Sequence, residues 1–247
     1  MPGDQGKIKS RVPAAKSPAA KSSTRSPANP ETRCMPTLLH IDASPSYEAS
    51  ISRALSARFV ATWQERFPDG HVIRRDLAGL AIPPVDKAWI GAAFTPADAR
   101  SEQQRGLLAL SDTLIAELVS SDEYVIATPM YNFGIPAALK LWVDQVVRLG
   151  ETYGRRGHER VGLLSRKKVH VLVASGGVYE AGSPAEKFDF VGPYLRAILG
   201  YMGVLDVTVY AAGGAGSIVA GQVSRDDFLQ PHLEAVGRSL KQPELIA

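Results

Sequence analysis

Residues 128–136 combine two aromatic side chains, an asparagine, a glycine and two prolines in nine positions. They follow a short apolar run, residues 124–127, that is typical of a buried strand, and they precede the helix-forming stretch 137–143. In open α/β sheets, ligands bind in the crevice at the carboxyl ends of the strands. Aromatic rings can stack on a flat ligand and an amide can bond its polar edge. The loop is therefore typical of a site for a planar, polar-edged molecule rather than a bare phosphate.

Residues 42–52 form a second loop with polar chemistry, because they follow a predicted strand and contain four serines: Ser44, Ser46, Ser50 and Ser52. Serine hydroxyls together with the free N–H groups of a helix start bind phosphate through neutral donors and the helix dipole. The loop lacks the Gly-x-x-x-x-Gly-Lys pattern of a triphosphate site, so a monophosphate ester fits better. The alternative is an ordinary serine-rich turn with a helix cap.

A third loop ends the strand predicted over residues 169–174 and reads Ala174-Ser175-Gly176-Gly177. Adjacent glycines allow backbone N–H groups to approach a ligand closely, although a simple tight turn is the alternative. The aromatic loop also has an alternative interpretation, with Tyr131 and Phe133 in the core and Asn132 as a turn residue. Taken together, a phosphate subsite, flanking aromatics and backbone donors match the parts of a bound flavin mononucleotide (FMN).

Strand and helix patterns alternate along the chain and would position these loops. Strands are predicted at 37–41, 71–74, 124–127, 169–174 and 207–210. Helices are predicted from Ser50 onward, over about 101–121, from 137 to about 149, near 187–202 and over 224–240, and residues 77–100 are expected to be irregular. Leu107, Leu110, Leu114 and Leu118 are expected to lie on one face of the helix over 101–121. The pattern predicts a doubly wound, five-stranded parallel sheet with helices on both faces, and strand order 2-1-3-4-5 would bring the three loops together.

The first 34 residues differ in composition from the remainder. They carry seven Lys or Arg against two acidic residues and no aromatic residue, so with a total of +3 the body over 35–247 carries about −2. We predict that residues 1–34 are a disordered basic tail and that 35–247 form one domain. The alternatives for the tail are sequence upstream of a start at Met35, a nucleic-acid arm or a targeting peptide. No nucleic-acid binding is expected of the body.

The remaining sequence signals exclude several classes of protein. No apolar run is long enough to span a membrane, and the single cysteine, Cys34, fits a cytoplasmic protein without a disulfide framework. No His-Glu-x-x-His or cysteine pair is present, so no metal site is expected. His40 and His170 lie within apolar strand runs and are interpreted as core or strand-end residues.

The sequence resembles the FMN-dependent NADH–quinone oxidoreductases, also called azoreductases, of the flavodoxin-like fold. The resemblance covers about residues 35–242 and rests on the stretch 129–133, on 110–118, on the serine spacing of the first loop and on the strand that ends in Ser175-Gly176-Gly177. It implies that the FMN phosphate is held by Ser44, Ser50, Ile51 and Ser52. It implies that the ribityl chain and ring are bordered by Met130, Tyr131, Asn132 and Phe133, with Ala174, Ser175, Gly176 and Gly177 at the pyrimidine end.

The resemblance also implies an activity. The enzyme would transfer two electrons as hydride, in a ping-pong cycle, from NADH or NADPH to quinones, and would reductively cleave aromatic azo compounds as a homodimer. No side chain is assigned as catalytic, because the cofactor performs the chemistry. Ala174-Ser175 stands where some relatives have Ser-Arg, which removes a cation near the flavin, and Gly134-Ile135-Pro136 replaces a more polar turn. The alternative function is a flavodoxin-type electron carrier, which the near-neutral body disfavours.

Overall fold

The computed structural model describes residues 35–240, so the tail predicted over 1–34 lies outside the described residues. The strands are β1 (Thr37–Asp42), β2 (His71–Asp76), β3 (Glu123–Pro129), β4 (Tyr153–Arg156), β5 (Glu159–Gly162), β6 (Lys168–Ala174) and β7 (Asp206–Ala212). The α-helices are α1 (Ile51–Arg66), α2 (Lys87–Phe94), α3 (Glu102–Ser120), α4 (Ala137–Val146), α5 (Gly192–Tyr201), α6 (Gly216–Val219) and α7 (Arg225–Ser239). None of these helices is both long and apolar enough to cross a bilayer.

Five of the strands form a parallel sheet in the order β2-β1-β3-β6-β7. This is the predicted 2-1-3-4-5 order, since β4 and β5 form a separate antiparallel pair. Alternate residues of β3 point to opposite faces: Tyr124 and Ile126 pack with α3, α4 and α5, whereas Val125 and Ala127 pack with α1 and α7. Both faces of the central strand are therefore buried, as expected for a parallel sheet covered by helices.

The predictions for residues 77–100 and for the apolar face of α3 need correction. Residues 77–100, expected to be irregular, contain α2 and a 3₁₀ turn at Ala97–Ala99. The Asp86 carboxylate accepts a hydrogen bond from the Trp89 N–H at 2.7 Å and so caps α2. Leu107 was expected on the same apolar face of α3 as Leu114 and Leu118, but it is 37% exposed, while Leu108 is fully buried. The face is shifted because Ser111 is also buried, where its hydroxyl donates to the Gln145 carbonyl at 2.6 Å.

The β4–β5 hairpin was not predicted, and it packs against the end of α5. A Cβ added at Gly162 would lie 2.1 Å from the Gly203 nitrogen, so the two backbones are in direct contact. Gly203 has φ +101°, a conformation that also favours glycine. Helix α5 begins at residue 192 rather than 187, because a 3₁₀ turn at Glu186–Phe188 comes first.

Candidate functional site

A cleft of about 350 Å³ opens at the carboxyl edge of the sheet, where β1, β3, β6 and β7 end. Four segments line it, each following a different strand, with Arg225 from the start of α7 completing the wall. Its location is the switch point of the doubly wound sheet, between β1 and β3, as predicted.

The first wall is the serine loop between β1 and α1. Ser50 caps α1, because its hydroxyl accepts from the Arg53 N–H at 3.2 Å, and it lies 3.2 Å from the Ser52 hydroxyl. Ser44, Ser50 and Ser52 are all buried. Within the described residues, the N–H groups of Ile51 and Ser52, the first two of the helix, have no protein acceptor. The loop therefore offers hydroxyl and amide donors to an anion at the positive end of a helix.

Arg53 holds this loop in shape from behind. Its Nε donates to the Ser44 carbonyl oxygen at 2.8 Å, and its guanidinium pairs with Asp76 at 2.6 Å and Asp42 at 3.5 Å. Burial opposes the charged form of Arg53, but the Asp76 hydrogen bond and the two carboxylate charges outweigh it and raise its pKa above the ordinary value. The charge of Arg53 is thus balanced within the protein.

The second wall is a tight turn formed by residues 131–134. The Tyr131 and Gly134 backbones bond each other at 2.9 and 3.0 Å, and both Asn132 (φ +49°) and Phe133 (φ +69°) are left-handed. Positive φ at both central positions is the geometry of a type I′ turn, which suits asparagine but strains phenylalanine. The Met130 N–H donates to the Ala174 carbonyl at 2.7 Å, which joins this wall to β6.

Phe133 points away from the cleft lining and into an aromatic group. Its ring stacks on Phe188 at 5.1 Å between centroids and meets Tyr179 edge-on at 5.9 Å. Its carbonyl accepts from the Phe190 N–H at 3.2 Å. These contacts connect the turn to the segment 178–190 and explain how the left-handed phenylalanine is held.

Three other aromatic residues lie away from this turn. Trp89 is buried in the core, where its Nε1 donates to Gln145 at 3.0 Å, and Tyr153 packs on Tyr201. Phe94 is exposed at the end of α2.

The third wall is the loop after β6, held by the loop after β7. The N–H groups of Gly214, Ala215 and Gly216 donate to the carbonyls of residues 177, 175 and 176 at 2.9–3.0 Å. All three carbonyls therefore face the β7 loop. Within the described residues, the N–H groups of Gly176 and Gly177 donate to no protein acceptor, so they remain available to a ligand.

Nine of the twelve predicted site residues line the cleft: Ser44, Ser50, Ile51, Ser52, Met130, Tyr131, Ala174, Ser175 and Gly176. Asn132, Phe133 and Gly177 lie next to it but not in its lining. Ser46 and Pro129, which belong to two of the predicted loops but were not among the twelve, also line the cleft. Sequence reasoning missed Ala49, Ala215, Ile218, Val219 and Arg225. The run Gly213-Gly214-Ala215-Gly216 after a predicted strand could have indicated the fourth loop, whereas nothing in the sequence places Arg225 there.

The donor set fits FMN. Anion donors at the start of α1, an apolar middle that includes Met130 and Tyr131, and backbone donors at Gly176 occupy one continuous cleft. The Nε of Arg225 is buried without a hydrogen-bond partner, which is unusual for a guanidinium beside a serine loop unless an anion completes the site.

Comparisons with known proteins agree with this interpretation. A family model described as "Flavodoxin-like fold" matches residues 36–236. The FMN-dependent NADH:quinone oxidoreductase of Acidobacterium capsulatum is 50% identical over 202 residues, which are 82% of this chain and 98% of that protein. FMN-dependent NADH:quinone oxidoreductase 8 of Burkholderia lata is 43% identical over 209 residues, 85% of this chain and 98% of that protein.

Among solved structures, an FMN-dependent NADH-azoreductase from Bacillus anthracis, crystallised in complex with FMN, matches with a TM-score of 0.73. The match covers 84% of this chain and 98% of the other at 23% identity, and it shows the same fold. The predicted fold and the predicted family are both confirmed. The chain belongs to the family of FMN-dependent NADH:quinone oxidoreductases, which has the flavodoxin-like fold.

Proposed function

We propose that this protein is an FMN-dependent oxidoreductase that transfers two electrons from NADH or NADPH to quinones and reductively cleaves aromatic azo compounds. The observation that carries the proposal is the single cleft in which anion donors, an apolar wall and free backbone N–H groups follow one another. The 50% identical relative named FMN-dependent NADH:quinone oxidoreductase supports the same activity.

FMN, when bound, supplies the two-electron redox chemistry. In our proposal the buried hydroxyls of Ser44, Ser50 and Ser52, with the N–H groups of Ile51 and Ser52, hold its phosphate. Met130 and Tyr131 border the ribityl chain and the ring, whereas Asn132 and Phe133 act through the shape of their turn.

The backbone at Gly176 and Gly177 is proposed to orient the polar edge of the ring. Two N–H groups without internal acceptors can stabilise negative charge that develops at that edge during reduction. They are pre-organised, because the carbonyls of the same loop are fixed by the amides of 214–216. No side chain is required to act as acid or base.

We also propose that the protein is a homodimer, that it is cytoplasmic and that residues 35–247 form one domain. A homodimer is supported by the exposed apolar side chains of Val178, Phe188 and Phe190 beside the cleft, and light scattering after gel filtration would test it. A cytoplasmic location is supported by the use of a single cysteine, and cell fractionation would test it. Residues 35–247 are proposed as one FMN-binding domain separate from 1–34, which limited proteolysis would test.

The central experiment is an anaerobic titration. The purified chain is loaded with FMN, its visible spectrum is recorded, and NADH or NADPH is added without any partner protein. We expect bleaching of the flavin band, and its return when a quinone or an azo dye is added. A colourless protein that does not take up FMN would refute the proposal. FMN binding without bleaching by either donor would instead indicate an electron carrier.

A further inference from the structure

Arg225 brings a cation to the cleft from a distant part of the sequence. It is the first residue of α7, and it lines the cleft together with Ser50 and Ser52. Its Nη2 donates to the backbone carbonyls of Glu48 at 3.0 Å and Ser50 at 3.4 Å. The side chain is therefore fixed against the turn that leads into α1.

The guanidinium of Arg225 forms no ion pair within the described residues. No carboxylate within residues 35–240 pairs with it, and both of its recorded acceptors are neutral carbonyls. Its Nε is buried and has no partner. Arg53, the other guanidinium at this loop, differs because Asp42 and Asp76 neutralise it. A buried donor on an unpaired cation beside anion-binding hydroxyls is a feature that a bound anion would explain.

We propose that Arg225 supplies the positive charge that recognises the phosphate monoester of the flavin, so that the cleft selects phosphorylated over unphosphorylated flavin. This inference rests on the proposed function, and it replaces the expectation that the phosphate is held by neutral donors alone. A dianionic ester bound by hydroxyls and amides leaves two charges that only the helix dipole offsets. A guanidinium at the same place adds charge-assisted hydrogen bonds, which are about twice as strong as neutral ones.

A purely structural role for Arg225 makes a different prediction. If the guanidinium only held the Glu48 and Ser50 carbonyls, its loss would loosen the turn and the whole start of α1. The stability of the empty protein and its affinity for any flavin would then fall together. A role in phosphate recognition instead affects FMN and spares riboflavin, which has the same ring and ribityl chain but no phosphate.

The test compares the full chain with Arg225→Gln, Arg225→Lys and the matched control Arg238→Gln. Arg238 lies at the other end of α7, is mostly exposed and pairs with Glu234 at 3.5 Å. Dissociation constants for FMN and for riboflavin are measured by flavin fluorescence, and the unfolding temperature of each empty protein is recorded. The ³¹P resonance of bound FMN gives a second readout of the charge at the phosphate that does not depend on turnover.

We expect Arg225→Gln to raise the FMN dissociation constant by about 10- to 100-fold, the range for a lost hydrogen bond to a charged group. Riboflavin binding should change by less than about twofold. Arg225→Lys should recover part of the FMN affinity, because the charge returns without the guanidinium fork. Arg238→Gln should behave as the wild type, since its side chain is remote from the cleft.

Several results would overturn the inference. Equal weakening of FMN and riboflavin by Arg225→Gln would assign the residue a structural role only, and unchanged FMN affinity would remove any role in binding the flavin. A change confined to the KM for NADPH relative to NADH would assign the charge to the donor's phosphate instead. If Arg225→Gln does not fold, wild-type protein that binds FMN and riboflavin equally well refutes the inference while the proposed function stands. Wild-type protein that binds neither flavin refutes both.

Discussion

Replacing Gly216 with alanine tests whether the backbone of the β7 loop shapes the cleft. A Cβ at this position would lie 2.9 Å from the Gly176 carbonyl oxygen, whereas ordinary contact begins at 3.4 Å. The oxygen must therefore recede by about half an ångström, and it is also the acceptor of the Gly216 N–H at 2.9 Å. Stretching that bond past 3.2 Å takes it outside the normal range of about 2.7–3.2 Å.

The expected cost has two parts. Overpacking against a fixed backbone destabilises a protein by about 1–3 kcal/mol, and we expect Gly216→Ala to lower the free energy of unfolding by an amount in this range. The displaced loop carries the free N–H groups of Gly176 and Gly177. Misplacing one neutral donor to FMN costs about 0.5–1.5 kcal/mol, or roughly a 2- to 12-fold rise in the dissociation constant.

Gly91→Ala is the matched control, because it makes the same chemical change inside α2, where nothing lies within 4 Å of the added methyl group. Alanine is favoured over glycine by roughly 0.5–1 kcal/mol in a helix, so this variant should be slightly more stable and bind FMN unchanged. Urea unfolding and FMN fluorescence titration at one pH provide both measurements. Wild-type stability and wild-type FMN affinity in Gly216→Ala would show that the loop contact is not a constraint and would refute the reasoning.

Three further predictions address the other walls and the core. Ser52→Ala should raise the FMN dissociation constant by roughly tenfold or more, because the hydroxyl is buried beside the free amides of α1. The riboflavin dissociation constant should stay unchanged, and fluorescence quenching measures both. Asn132→Gly should leave stability to urea nearly unchanged, whereas Asn132→Val should lower the free energy of unfolding by about 1–2 kcal/mol. The reason is that position 132 has a left-handed backbone conformation, which glycine adopts readily and valine does not. Burial alone would raise the pKa of Glu123, but the hydrogen bond and charge of His170 lower it below 4.5. The stabilisation from Glu123 is thus complete above pH 4.5 and is lost as the pH falls through the lowered pKa of Glu123 in the folded protein. Glu123→Gln should therefore lower the free energy of unfolding at about pH 7, and the variant should lose less stability than the wild type when the pH is lowered.

The strands of the central sheet were predictable because each is a short, continuous apolar run followed by a break. The runs 124–127 and 169–174 are examples: a strand that is buried on both faces is apolar at nearly every position, so it is easily recognised in the sequence. Strand order 2-1-3-4-5 was then the doubly wound arrangement that brings the three loops together.

The parts that were missed have weak or misleading local signals. The β4–β5 hairpin is four residues on each side and contains Arg155, Arg156, Glu159 and Arg160, so its composition is that of a solvated loop. It is placed by the Gly162–Gly203 contact, which joins residues 41 positions apart. Arg225 was missed for the same reason, because only the packing of α7 against α1 brings it to the serine loop.

The main-chain bonds between residues 175–177 and 214–216 fix one wall of the cleft through backbone atoms alone. Because amides and carbonyls fix this wall, its shape does not depend on which side chains occupy the neighbouring segment 178–190. Within that segment, Tyr179 and Phe188 contact the Phe133 ring and hold its turn, whereas the residues between them, 180–187, are free to diverge. A library of variants restricted to residues 180–187 should therefore give holoenzymes that all keep their flavin, so this part of the chain can change in evolution without loss of the prosthetic group.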